Sequence, residues 1–62
     1  MKQYVAILTD EDWNLHQVNP ETRLPEDEPI IKDCVSISEL IDEAKMEYDI
    51  PADAIIGKII HE

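Results

Sequence analysis

Apolar runs separated by short polar breaks organise the first third of the chain. Residues Gln3–Thr9 are rich in strand formers and predict a buried strand. Three acids at 10–12 interrupt this run, and the alternation over Trp13–Val18 then predicts a second strand. We expect the two strands to pair antiparallel through the acidic turn. The turn type stays open, because neither Asn-Gly nor Asp-Gly is present.

A proline-rich stretch follows the second strand. Residues 19–29 contain three prolines and four acids, which predicts a flexible loop because proline lacks a backbone donor and the charges repel. The apolar run resumes over residues 30–35 and predicts a short third strand. The loop is therefore expected to be the most mobile part of the chain.

The pattern over residues 36–50 is typical of an amphipathic helix. Ser36 and Glu39 have the spacing of a capping box, in which the serine hydroxyl accepts from the Glu39 amide and the carboxylate reaches back. Pro51 ends the helix, because the residue before proline is pushed out of helical geometry. One apolar face is expected along the helix, and it comprises Ile37, Leu40, Ile41, Ala44 and Tyr48.

Residues 54–60 predict the last strand. This run is apolar on both faces, which favours a central or well-covered position in the sheet, and Gly57 predicts a bulge or a close backbone approach. The element order is β-β-β-α-β. We therefore expect a single α+β domain over residues 1–62, with one helix packed on one face of a three- to four-stranded sheet.

The charge balance excludes several classes of partner. The 62 residues include 15 Asp or Glu and only 5 Lys or Arg, for a net charge of −10. Direct nucleic-acid binding is not expected, because it requires basic side chains that displace counterions, and an anionic membrane surface is disfavoured likewise. No apolar run or signal pattern suggests a membrane span or secretion. A single cysteine fits a reducing, cytoplasmic compartment.

The sequence gives little indication of a metal site or a catalytic group. Asp10, Asp12, Asn14 and Glu21 have the ligand spacing of a calcium-binding EF-hand loop, but Leu15 stands where that loop requires glycine. No zinc spacing is present, and the lone cysteine, Cys34, is interpreted as a small buried hydrophobe whose pKa neighbouring acids raise. A chain this short builds little of a cleft. We therefore expect no enzyme activity, no cofactor and no metal.

The distribution of carboxylates is the remaining functional signal. Glu residues four positions apart on the helix are about 6 Å apart along its axis, so the row could stand in for backbone phosphates in a groove meant for nucleic acid. Small acidic inhibitors of nucleic-acid enzymes, such as phage host-takeover and anti-CRISPR proteins, share this size and charge. The predicted partner-binding residues are Glu39, Asp42, Glu43, Glu47, Asp49, Glu26, Asp27 and Glu28.

Two segments carry a resemblance to a known family. The apolar start at 1–8 with its acidic turn at 10–12, then Cys34-Val35 and residues 38–45 of the helix, resemble HicB-type antitoxin domains in their order of elements. The glycines that such domains use before the helix are missing here, and the proline loop is longer. The resemblance implies an antitoxin-like role and assigns no role to individual residues.

The leading interpretation is a non-enzymatic module that presents an acidic surface to a basic protein, one that handles nucleic acid. The alternative is a small structural or oligomerising subunit that pairs through a strand edge, including as a homodimer, with its charge serving solubility. A salt-adapted protein of ordinary function is a third interpretation. Binding that weakens steeply with salt would favour the first, and a dimer in solution would favour the second.

Overall fold

The computed structural model describes residues 2–61 as a four-stranded mixed sheet with one helix, which confirms the α+β class and the order β-β-β-α-β. The elements are β1 (Gln3–Thr9), β2 (Asp12–Val18), β3 (Ile31–Cys34), α1 (Ile37–Tyr48), a 3-10 turn (Ala52–Ala54) and β4 (Ile55–His61). The strand order in the sheet is β3-β2-β1-β4.

A two-residue turn joins β1 and β2. The strands pair antiparallel from Gln3 opposite Val18 to Thr9 opposite Asp12, which leaves only Asp10 and Glu11 in the turn. Both turn residues have positive φ, 52° and 71°, as a type I′ turn requires. The hairpin was predicted, but its turn type was not, because I′ turns usually carry Asn-Gly or a similar pair.

The helix crosses the sheet between strands that lie at its two edges. β2 is antiparallel to both β1 and β3, and β4 is parallel to β1. β3 and β4 therefore run in the same direction, and α1 carries the chain past β2 and β1 on one face.

The core lies between this face and the helix. Its buried members are Tyr4, Ala6, Leu15, Ile31, Cys34, Leu40, Ala44 and Ile50. The predicted helix face is confirmed at its centre, because Leu40 and Ala44 have no exposed surface. Tyr48, at the end of the stripe, is 46 % exposed, so the core stops before the last turn of the helix.

Local hydrogen bonds define both ends of the helix. The Ser36 hydroxyl oxygen accepts from the Glu39 amide at 3.1 Å, as predicted. The Glu39 carboxylate accepts from the Val35 amide at 3.4 Å. At the other end Asp49 adopts a left-handed conformation, and the Ile50 amide donates to the Ala44 carbonyl, a common way to terminate a helix.

The proline-rich stretch makes regular contacts with the strand that precedes it. The Asn19 side chain accepts from the Glu21 amide at 2.8 Å, and Val18 forms an isolated bridge with Pro25. The Glu26 amide then donates to the Gln17 carbonyl at 2.8 Å. The second half of the stretch therefore continues the line of β3 along the edge of β2.

β3 carries a bulge. Trp13 pairs with Cys34 and Leu15 pairs with Ile31, so three residue steps on β3 face two on β2. Asp33 has a φ of 63° within this bulge. Its amide donates to the Asn14 side-chain oxygen at 3.3 Å.

The position predicted for the last strand is wrong. β4 is an edge strand that pairs with β1 alone among the described strands, and Ile56, Ile59 and Ile60 are exposed. The predicted bulge is confirmed, because the register with β1 shifts between Ile55 and Gly57. The predicted close approach is not found, since a Cβ atom added at Gly57 would have no neighbour within 4 Å.

Candidate functional site

The acidic row of the helix lies on one flank rather than on the side opposite the core. Residues four apart advance by about 40° around a helix, so Glu39, Glu43 and Glu47 approach the buried side gradually. Glu43 is half-buried, whereas Glu39 and Glu47 are exposed. Glu43 therefore borders the sheet, whereas Glu47 lies in the last helical turn, beyond the end of the core.

The charged groups around Cys34 indicate which strand the acidic flank of the helix faces. Burial raises the pKa of its thiol most, and the carboxylates of Glu43, Glu39, Asp33 and Asp12 raise it further, in that order. The helix packs against β3 and β2, so Glu39 and Glu43 meet the β3 edge, where two further acids come from β2 and β3. We call these four residues, Asp12, Asp33, Glu39 and Glu43, together with Glu47, the next member of the helix row, the acidic edge.

Two of these five residues were missed from the sequence. The sequence pattern places Asp12 in the acidic turn, and Asp33 lies within the third predicted strand. They join the helix acids because β2 pairs with β3, which sets Trp13 opposite Cys34. No local pattern indicates that pairing, since the partners are far apart in the chain.

The other predicted helix acids lie elsewhere. Asp42 is exposed, and its position 200° around the helix axis from Leu40 places it on the side away from the core. Asp49 lines a groove of about 520 Å³ together with Lys2, Tyr48 and Asp53 at the opposite end of the helix from Ser36. The helix acids therefore do not form one continuous surface.

The acids of the proline-rich stretch lie beyond β3 along the same edge of the sheet. Glu26, Asp27 and Glu28 are all exposed. The backbone of Glu26 is held on both sides: its amide donates to Gln17, and its carbonyl accepts from the Nδ1 of His16 at 2.7 Å. This stretch extends the negative charge of the edge past the end of β3.

One of the predicted acids has a structural role. Glu39 is the only one of the eight whose carboxylate accepts a hydrogen bond from a group within residues 2–61. Its contribution to a partner would therefore compete with capping of the helix. Substitutions that test binding are better made at Asp33, Glu43 and Glu47.

The residues with the ligand spacing of an EF-hand do not form a loop. Asp12 and Asn14 lie within β2, whereas Glu21 follows its far end. Within residues 2–61 no three His, Cys, Asp or Glu side chains are grouped to hold a metal ion. Nor does any helix within residues 2–61 have the length and apolar character needed to cross a membrane.

Comparison of the chain with protein-family models, with curated proteins and with solved structures gives no match. The resemblance to HicB-type domains therefore stays one of element order and local residues.

Proposed function

We propose that this protein is a non-enzymatic binding module whose acidic edge occupies a basic groove on a protein that handles nucleic acid. In this role it acts as an inhibitor or antitoxin-like competitor within the cytoplasm. The observation that carries the proposal is the convergence of Glu39 and Glu43 with Asp33 and Asp12 around Cys34.

The clustering of these carboxylates supports a binding partner, because the clustering lowers the stability of the free protein. Like charges close together repel, and each such pair on a helix costs a few tenths of a kcal/mol. Here acids from two strands and a helix share one edge, and the sole basic residues on those elements are Lys32 and Lys45. A basic partner would remove this repulsion on binding.

The proposal predicts a particular salt dependence. Electrostatic complementarity mainly accelerates association and selects partners, and ions screen exposed charges over about 8 Å at physiological ionic strength. Affinity for the partner should therefore fall steeply as salt rises. Duplex DNA should compete for the same groove.

The test is capture of basic proteins from a host extract, with elution by salt or by duplex DNA, followed by measurement of affinity for the captured protein. The triple variant Asp33→Asn, Glu43→Gln and Glu47→Gln neutralises the acidic edge. We expect it to lose roughly 5- to 150-fold in affinity, from about 0.3–1 kcal/mol for each of the three carboxylates.

A matched triple variant controls for net charge. Asp53→Asn, Glu11→Gln and Glu21→Gln make the same three chemical changes at exposed positions outside the acidic edge. This control should bind nearly as tightly as the wild type. Equal losses in the two triples would assign the effect to net charge alone and overturn the proposal, as would a captured complex that DNA does not displace.

A further inference from the structure

The outer edge of β4 is an unprotected strand edge. β4 is seven residues long, and among the described strands it pairs only with β1, so one side of its backbone lacks a strand partner. Ile56, Ile59 and Ile60 on this strand are 54 %, 44 % and 71 % exposed. A long apolar edge of this kind is a template for pairing with another strand.

The opposite edge of the sheet is protected. β3 has four residues, and its ladder is broken by the bulge at Lys32 and Asp33. The chain that continues its line contains Pro25 and Pro29, which lack backbone donors. Short length, bulges, charges and prolines are the usual means of blocking edge pairing. The edge formed by β3 and the chain that continues its line has all of these, whereas β4 has one charged residue with a described side chain, Lys58.

Among the described residues, no acid lines the grooves beside β4. Three shallow grooves, of about 210, 410 and 260 Å³, meet at Ile56. None of the residues that line them is Asp or Glu, and the charged ones are Arg23 and Lys58. In a chain with 15 acids, this is the side on which a second acidic chain can approach.

We propose that the occupant is a second copy of this chain, paired antiparallel through β4 with the two-fold axis at Ile59. Side chains that lie directly opposite each other in a sheet must point to the same face. The two residue numbers of each pair must therefore be both even or both odd, so the two-fold axis passes through one residue and its own copy. Centring on Lys58 would set two lysines opposite each other. Centring on Ile59 sets Ile59 opposite its own copy and Lys58 opposite Ile60, with the two lysines roughly 7 Å apart along the strand.

The repulsion between the two acidic edges is small in this arrangement. The paired sheet has eight strands, with β3 at its two ends. Seven spacings of about 4.8 Å separate these ends by roughly 34 Å. That distance is about four Debye lengths at physiological salt, so the acidic edges barely interact. Both stay free, and the proposal does not depend on the function of the acidic edge.

The test is the molar mass in solution, by sedimentation equilibrium over a range of concentrations. A dimer has twice the chain mass of 7.2 kDa, which is 14.4 kDa. The variant Ile59→Lys sets like charges across the axis and should give the monomer mass. Met46→Lys makes a similar change at an 83 % exposed position on the helix, and should leave the dimer intact.

A cross-linking experiment tests the register. Cysteines placed at Ile59 should form an intermolecular disulfide on mild oxidation, because the Cβ atoms of opposite residues lie about 4.5–5.5 Å apart and need to move together by only about 1 Å to reach disulfide geometry. Leu24→Cys, at a position 64 % exposed, should form no intermolecular disulfide under the same conditions. The native Cys34 is buried and does not take part.

Salt separates this proposal from the proposed function. Dimerisation should hold or strengthen as salt rises, whereas binding of a basic partner should weaken. A monomer mass at millimolar concentration in high salt would overturn the β4 dimer and leave the acidic edge unaffected. A dimer that survives Ile59→Lys would also overturn it, since association would then use another surface.

Discussion

The turn between β1 and β2 holds a backbone strain whose effect on stability can be measured. Glu11 has a φ of 71°, in the left-handed region. For a residue with a side chain this conformation costs roughly 1–2 kcal/mol. Glycine removes that cost but loses about 0.5–1 kcal/mol of extra chain entropy on folding. Glu11→Gly should therefore stabilise the protein by about 0.5–1 kcal/mol.

Such a gain is measurable in a domain this small. A core of this size supplies about 3–5 kcal/mol of net stability, and 1 kcal/mol shifts the melting temperature of a small domain by about 4–8 °C. Trp13 is the only tryptophan and packs against the core, so its fluorescence reports unfolding. In urea, the midpoint should rise with an unchanged slope.

Glu26→Gly is the matched control. It makes the same substitution at an exposed residue that is not among those with positive φ, so only the entropic cost applies. We expect a loss of up to about 1 kcal/mol. If Glu11→Gly also lowers the urea midpoint, the left-handed conformation at Glu11 is not a source of strain.

Two further predictions concern the core. Leu40→Ala, at a side chain with no exposed surface, should cost about 2–5 kcal/mol and leave much of the protein unfolded in the absence of urea; Met46→Ala, at an exposed position, should change the midpoint by less than about 0.5 kcal/mol. The pKa of the Cys34 thiol is raised in the folded state, so the folded protein binds this proton more tightly and the free energy of unfolding should fall as pH rises above about 9.0, the ordinary thiol value. Cys34→Ala should abolish that part of the pH dependence, and a slope that persists in this variant would assign it to other groups.

The two proposals place different roles on opposite sides of one sheet. The acidic edge lies along β3 and the helix flank, whereas the strand edge proposed for self-association lies at β4. A dimer would therefore display two acidic edges pointing away from each other. If both proposals hold, one dimer can engage two copies of a basic partner, and the stoichiometry of a captured complex would show it.

The strands, the helix and the class of the fold follow from the sequence by itself. Their signals are local: the apolar run of β1, the alternation in β2 and the capping residues Ser36 and Glu39 all act within a few positions of the chain. Local hydrogen bonds and side-chain periodicity determine these features. The buried state of Cys34 follows in the same way, from its position in an apolar run.

Pairing between distant segments of the chain decided the position of β4 in the sheet and the composition of the acidic edge. The apolar residues of β4 indicated a covered strand, yet the sheet has only β1 beside it, because apolar side chains do not specify which neighbours a strand will have. Asp12 and Asp33 join Glu39 and Glu43 only because β2 pairs with β3 beneath the helix. Sequence determines which residues are exposed and charged, whereas the arrangement of strands determines which of those charges share one edge.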